Sequence, residues 1–392
     1  MNVVKKDGTI AEFNKIKIIN AIHKSANRVM VDMTKEDDNF VCNYVVEKIG
    51  NADTVDVPTL HHLVESALEE LNPKIAKSYR DYRNYKVDFV HMLDEVYAKS
   101  QAIRYIGDRD NANTDSALVA TQRSLIYNEL NSELYKKFFL NTEERQAMKD
   151  GYIYIHDRSA RLDTMNCCLA DISTILTGGF EMGNVWYNEP KTLDVAFDVI
   201  SDIAISMAAM QYGGYTMPRV DTILAPYAEK SYQKYLKEYY SVVDGHEDSI
   251  EEMSNEANAW ATQKVRRDFE QGFQSWEYRF NTVGSSRGDY PFIAVSFGIG
   301  QSKWEQMATE VCLEVRKGGQ GKTGFKKPVL FPKLTFLYDE NLHGPGKPME
   351  HLFDCAIDCS RKCMYPDFLS LTGEGYIPSM YKKYGEVISL MG

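Results

Sequence analysis

The chain is short of several things, and each shortage excludes something. No run of about 18 apolar residues occurs in its 392 residues, so no membrane-spanning helix is expected. The opening MNVVKKDGTI lacks the apolar core of an export leader. Cations are outnumbered, Lys plus Arg 45 against Asp plus Glu 56, for a net charge of −11. That balance argues against a non-specific binder of nucleic acid or anionic membrane, both of which need excess positive charge. Cysteines number seven, an odd count, and no two are spaced Cys-x-x-Cys, the usual half of a structural zinc site. Without an export signal they read as reduced thiols, and the expected compartment is the cytoplasm. What remains is ordinary for a folded protein: 44% hydrophobic and 26% charged residues, at a length suited to two or three domains.

Residues 1–93 read as a unit of their own. Val3 to Thr9 alternates and turns at Asp7-Gly8, a hairpin signal. Asn14 is placed to cap a helix whose Ile16, Ile19, Ile22 and Ala26 recur near helical spacing. Residues 35–49 and 58–71 form two more amphipathic helices, the second opened by Asp56 and Pro58. A fourth runs from Pro73 to about residue 98. A linker is expected at 94–117, where residues 105–117 are rich in Asp, Asn and Gly. From 118 to 392, helical stretches at 118–150 and 190–278 are interrupted by short apolar runs. Three of these runs, 151–157, 291–297 and 329–337, alternate like strands, which predicts an α/β body around a buried sheet or barrel.

Several side-chain groups could carry chemistry. Lys5 and Lys6 flank a tight glycine turn and Lys17 follows in the next helix, an arrangement that suits a polyphosphate or a solvated hairpin. Adjacent Cys167 and Cys168 on a strand point to opposite faces, so one can face a site while the other packs inside, or both can be small core residues. Cys355, Cys359 and Cys363 recur every four residues, which predicts one face of a helix and core packing. Gly318-Gly-Gln-Gly-Lys322-Thr323 fails as a phosphate loop, because Arg316 stands where the first glycine is required and a charged helix precedes it. His156 and Asp157, adjacent on an expected strand, would face opposite ways and so would not pair, leaving His156 a structural histidine.

Longer strings carry resemblances. VVKKDGTIAEFNKIKIINAI, with Thr59-Leu60-His61-His62 and the closing SYRDYRNYK, resembles the ATP-cone, a nucleotide-binding regulatory domain. By motif position the resemblance implies that Val3, Lys5, Lys6, Lys17 and His61 bind ATP or dATP with Mg2+. The family has Lys-Arg before Asp-Gly where this chain has Lys5-Lys6, so the bidentate arginine fork is missing there. YIYIHDRSARLDTMNCCLADISTILTGGFEMGN resembles the catalytic subunit of anaerobic (class III) ribonucleoside-triphosphate reductases. So, in order, do YGGYTMPRVDTILAPY, NTVGSSRGDYPF and PVLFPKLTF.

The resemblance implies a small, mostly helical ATP-cone followed by part of an α/β barrel of the ribonucleotide-reductase and glycyl-radical type. It implies reduction of ribonucleoside triphosphates to 2′-deoxyribonucleoside triphosphates by thiyl and glycyl radical chemistry, with formate as reductant. Regulation would come from ATP and dATP at the cone and from a dNTP site near the helices after residue 118. Cys167, after Asn166, takes the position of the first active-site cysteine, with Cys168 as its core-facing neighbour. The expected role, hydrogen and proton donation toward the departing 2′-hydroxyl, suits a buried, protonated thiol. Implied partners are a second copy of the chain and a radical-SAM iron–sulfur activase.

In the family the pattern continues to a Met-Gly-Cys whose cysteine becomes the thiyl radical, and then to a zinc module and a glycyl-radical loop. This chain reads Met391-Gly392 at its end. The expectation is therefore a chain that does not reduce ribonucleotides alone, with exposed strand edges that favour association. A non-catalytic ATP- or dATP-binding regulator acting through oligomerisation is the alternative. A relative of formate lyases would share the barrel without the N-terminal unit.

Overall fold

A computed structural model describes residues 1–5, 8–106, 117–161, 165–242, 250–282, 288 and 290–385. Its contacts divide the chain into two compact units, Met1–Lys99 and Ser100–Gly392.

The first unit starts with β1 (Asn2–Val4) and β2 (Ile10–Glu12), paired antiparallel across the expected turn. Next comes α1 (Lys15–Arg28), whose first turn is capped by Asn14, its side chain accepting from the Ile16 N–H at 2.8 Å. Then follow α2 (Lys35–Ile49), opened by a reciprocal Thr34–Asp37 capping box, and β3 (Thr54–Asp56). The third strand lies parallel to β1, a pairing that three residues, of which only Val55 is buried, do not advertise in sequence. Asp56 caps α3 (Val57–Leu71), with Pro58 in the first turn. Last is α4 (Pro73–Ile106), which continues past residue 98 because neither Gly nor Pro occurs between residues 74 and 106. Ile22, Val41, Val45, Val64, Leu68 and Ile75 fill the core between these helices.

The second unit opens with α5 (Val119–Phe139) and α6 (Thr142–Lys149). After these come β4 (Cys168–Leu169), α7 (Ile172–Leu176), the hairpin β5 (Phe180–Met182) and β6 (Val185–Tyr187), then α8 (Leu193–Met210) and β7 (Tyr215–Met217). They are followed by α9 (Val220–Val242), α10 (Ile250–Thr282), β8 (Ile293–Phe297), α11 (Lys303–Gly318) and β9 (Lys333–Tyr338). The series closes with α12 (Glu340–His343), α13 (Glu350–Cys363), β10 (Asp367–Ser370) and α14 (Tyr376–Tyr384). Strands β4, β7, β8, β9 and β10 lie side by side in chain order, and every pairing is parallel. Each crossover is helical, as parallel pairing requires. Because the order never reverses, the sheet winds as a barrel wall does rather than as a doubly wound sheet. All five residues of β8 are buried, and Phe197, Phe269, Phe273 and Trp276 pack α8 against α10 behind the sheet.

Two expectations about strands change. Residues 151–157 form no strand: Tyr152 and Tyr154 are both more than 80% exposed, and on the other face Ile153 is exposed too, so neither face of the alternation is buried. The third apolar run becomes a strand only from Lys333, since Pro332 has no N–H for the ladder.

Candidate functional site

In the first unit the β1–β2 turn is closed by the Lys5 N–H donating to the Thr9 carbonyl at 2.8 Å and the Gly8 N–H to the Lys5 carbonyl at 3.0 Å. Gly8 has φ +80°, a conformation few other residues adopt readily. Val3, held between Ala11 and Val55 in the sheet, lines a cavity of about 270 Å³ with Lys5, Lys17 and His61. Lys6 lies outside the described residues. A second cavity of about 920 Å³ shares Lys17, Val57, His61 and Tyr79 with the first.

Five cations, Lys17, Lys24, Arg28, Arg83 and Lys86, line the larger cavity, and among the described residues no Asp or Glu does. Arg83 is already partnered: its Nη1 donates to Glu65 at 2.7 Å, and Arg80 holds the same carboxylate. Burial alone would raise Glu65, but the two arginines prevail and hold its carboxyl below the usual range. Among the described residues no carboxylate lies within ion-pair distance of Lys17, Lys24 or Lys86. Arg28 instead lies over the Tyr82 ring, 3.8 Å from its centroid. Apolar residues Val57, Pro58, Val87 and Val90 also line the cavity. Cations and apolar side chains lining one cavity suit a polyanion that also carries a flat apolar group. Lys24, Arg28, Arg83 and Lys86 were not singled out from sequence, although the steps Lys17, Lys24, Arg28 and Tyr79, Arg83, Lys86 each trace one helix face.

In the second unit, residues 165–169 lie parallel along 211–216. The Tyr212 N–H donates to the Met165 carbonyl at 2.9 Å and the Gly213 N–H to the Asn166 carbonyl at 2.7 Å. A Cβ built on Gly213 would fall 2.5 Å from Asn166 Oδ1 and 2.7 Å from Cys167 Sγ, so only glycine lets the two chains approach this closely. Cys168, opposite Tyr215, packs against the core and its Sγ donates to Gln211 Oε1 at 3.0 Å. Burial, then the neighbouring Cys167 thiol, push the Cys168 thiol up. Cys167 is exposed, not the buried thiol expected, because it precedes β4, which among the described residues is an edge strand paired with β7. The Asn166 amide donates to Asp157 at 3.4 Å, and Asp157 in turn meets His156 Nδ1 at 2.6 Å. The His156–Asp157 pair therefore forms, contrary to expectation. Asp157 has φ +52°, so the two residues sit in a turn and their side chains need not diverge.

The remaining candidates settle as structure. Cys359 and Cys363 are buried on one face of α13 and Cys355 is half-buried beside them. Among the described residues no group of three His, Cys, Asp or Glu is placed to hold a metal ion. Gly318 ends α11, and Gln320 pairs with Lys327 in the loop that follows, a helix-to-loop join unlike a phosphate loop. Sequence reasoning missed Asp221 and His343, which hold the turn after β8 from two sides. Asp221 accepts from the Gly298 N–H at 3.0 Å. His343 Nδ1 accepts from the Asp339 N–H at 3.1 Å, so its Nε2–H donates to the Gly298 carbonyl at 2.9 Å. Burial lowers His343 below the usual histidine range and raises Asp221 above the usual carboxylate range. Among the described residues no helix is long and apolar enough to cross a membrane.

A family model described as anaerobic ribonucleoside-triphosphate reductase matches residues 110–392, and one for the ATP cone domain matches residues 1–87. The anaerobic ribonucleoside-triphosphate reductase of Haemophilus influenzae is 31% identical over 385 residues, covering 94% of this chain and 52% of that protein. Its counterpart in Escherichia coli is also 31% identical over 385 residues, covering 94% and 51%. A solved structure, the anaerobic ribonucleotide reductase from Thermotoga maritima in complex with dATP and CTP, is similar at a TM-score of 0.42 and 15% identity, covering 72% of this chain and 49% of that one. The chain spans about half the length of the curated relatives it matches. It belongs to the anaerobic ribonucleoside-triphosphate reductase family and carries an ATP-cone domain at its N-terminus.

Proposed function

We propose that the chain is the nucleotide-regulated N-terminal part of an anaerobic ribonucleoside-triphosphate reductase, acting in the cytoplasm, with ATP and dATP as effectors of its cone. One observation carries this reading: Lys17 and His61 belong both to the chamber with Val3 and Lys5 and to a larger cavity whose charged lining, among the described residues, is cationic. A triphosphate meets lysines as point charges there, and the apolar residues of the same lining accept a base. Magnesium fits as a companion of the phosphates, since among the described residues Glu12 alone offers a carboxylate to the small chamber and none lines the large one.

For catalysis, the family's radical chemistry and formate supply the oxidation and the electrons at the ribose. The part left to this chain is donation from Cys167 Sγ toward the departing 2′-hydroxyl, with the Asn166 amide beside it as a hydrogen-bonding group. Gly213 leaves the space beside both residues that a side chain would fill. Lys6 completes the phosphate-binding turn in this reading. A second copy of the chain, an iron–sulfur activase and ribonucleoside triphosphate substrates are its partners.

Calorimetric titration of the whole chain with ATP and with dATP tests the cone. Saturable binding is expected, weakened about 100-fold by Lys5→Ala with Lys17→Ala. Absence of heat with either nucleotide would remove the reading.

A further inference from the structure

The floor shared by the two cone cavities holds a contact that neither the nucleotide reading nor the lysines explain. Tyr79 of α4 is buried at 8% exposure, and its hydroxyl lies 2.6 Å from His61 Nδ1 of α3. The two rings are 5.7 Å apart and tilted by 53°, so the contact is made edge to edge rather than by stacking. Burial pushes the Tyr79 phenol up to about 12, against a smaller opposing pull from Arg83, so the oxygen keeps its proton at any pH where the protein works. Among the described residues the Tyr79 hydroxyl meets no other hydrogen-bonding group.

Two arrangements of protons are possible, and they are not equal in cost. If His61 donated from Nδ1, the phenol would be the acceptor and its own proton would be buried with no acceptor, the expensive state for a polar group. If the phenol donates, both groups are satisfied and the imidazole carries its hydrogen on Nε2. We propose that Tyr79 is a positioning residue that fixes His61 as the Nε2–H tautomer, so that the cone offers a bound nucleoside triphosphate a hydrogen-bond donor at this point rather than an acceptor.

The proposal rests on the nucleotide reading for the identity of the ligand, but not for the tautomer. A residue that merely filled space beneath His61 would be replaced without consequence by phenylalanine, which keeps the ring and removes only the donor. The Tyr79 ring itself belongs to the buried cluster that includes Ile22, Val64, Leu68 and Ile75.

Nitrogen NMR of the histidine-labelled whole chain reads the tautomer directly, with His61→Ala assigning the resonance. Expected are an unprotonated Nδ1 and a protonated Nε2 in the wild type, and a shift toward the Nδ1–H form in Tyr79→Phe. By calorimetry, Tyr79→Phe should weaken ATP and dATP binding about three- to tenfold, the worth of one hydrogen bond. In a His61→Ala background the same substitution should change affinity by less than about twofold, because coupled residues are not additive. A protonated Nδ1 in the wild type overturns the proposal without any variant having to fold. So does a Tyr79→Phe penalty that persists undiminished when His61 is absent, which would make Tyr79 a direct ligand contact. If the wild type binds neither nucleotide, the nucleotide reading falls and takes ligand presentation with it, while the nitrogen shifts still decide the tautomer.

Discussion

The two units build their candidate sites from opposite materials. In residues 1–99 only two of the chain's 25 glycines occur, and a Cβ added at Gly8 would meet nothing within 4 Å. The cone site is made by long cationic side chains reaching across a cavity, so its specificity is electrostatic and tolerant of small shifts in backbone. In the second unit, glycines let neighbouring side chains and backbone approach closely. A Cβ on Gly272 would fall 2.2 Å from the Phe197 ring, one on Gly288 2.2 Å from the Thr121 nitrogen, and one on Gly213 2.5 Å from Asn166. There the site is a matter of shape, set by how closely strands and helices approach. Charge can be lost from the cone at little cost to folding, whereas a single methyl group in the other unit displaces a wall.

The largest test of that contrast is Gly272→Ala. The added methyl has nowhere to go between α8 and α10, where Phe197 also meets Phe273 and Trp276 at ring centroid distances of 5.0 and 4.8 Å. A loss of about 3 kcal/mol in urea unfolding of the second unit is expected, with nucleotide affinity at the cone unchanged. A change in unfolding below about 1 kcal/mol would mean that shape is not what organises this unit.

The complementary test is Lys24→Ala with Lys86→Ala. Both side chains are exposed and line the larger cavity. ATP affinity should fall about 30-fold, near 2 kcal/mol, with the effect shrinking as salt rises. Thermal unfolding should move by less than about 0.5 kcal/mol. Unfolding that moved with affinity would erase the distinction between the units.

How much of this was legible in sequence follows the same divide. Caps announce themselves through single side chains, so Asn14 and Asp56 with Pro58 were readable, and so was the one-sided row of Cys355, Cys359 and Cys363. The strand-like alternation at 151–157 misled because period alone does not say whether a face is buried, and here both tyrosines stand in solvent. The His156–Asp157 pair went unread for the same reason, since a turn replaced the strand. Lys24 and Lys86 were visible as residues but not as a site, because α1 and α4 meet only through tertiary packing. Gly213 lies 46 positions from Cys167 (213 minus 167), and no local pattern links a glycine to a thiol at that distance.

A pH series tests the polar clamp of the second unit with a smaller effect. His343 is 1% exposed, and burial lowers its pKa, so the folded state refuses a proton that the unfolded chain accepts near pH 6.5. Its contribution is fully present above that unfolded value and is lost as pH falls below it toward the folded pKa. Unfolding free energy should therefore drop by at most about 1.4 kcal/mol per pH unit below pH 6.5, and His343→Gln should flatten that part of the slope. An unaltered slope in the variant would assign the loss to other groups.

The smallest expected effect compares two buried tyrosines, one in each unit. Tyr79 in the cone has a partner for its hydroxyl at 2.6 Å, whereas the Tyr215 hydroxyl, opposite Cys168 in the sheet, is buried and among the described residues meets no hydrogen-bonding group. Burial raises the Tyr215 phenol well above its usual range, so it stays neutral, but neutrality does not remove the cost of stripping water from an O–H. Removing that hydroxyl takes away a desolvation cost and no contact. Tyr215→Phe should accordingly be neutral or stabilising by up to about 1 kcal/mol in urea unfolding, whereas Tyr79→Phe should cost about 1 kcal/mol because it breaks a satisfied pair. If Tyr215→Phe were instead the more damaging of the two, its hydroxyl would have to hold an ordered water between the strands. The second unit would then depend on a hydrogen bond beside Cys168 as well as on shape, and the contrast with the cone would narrow at the point nearest its thiols.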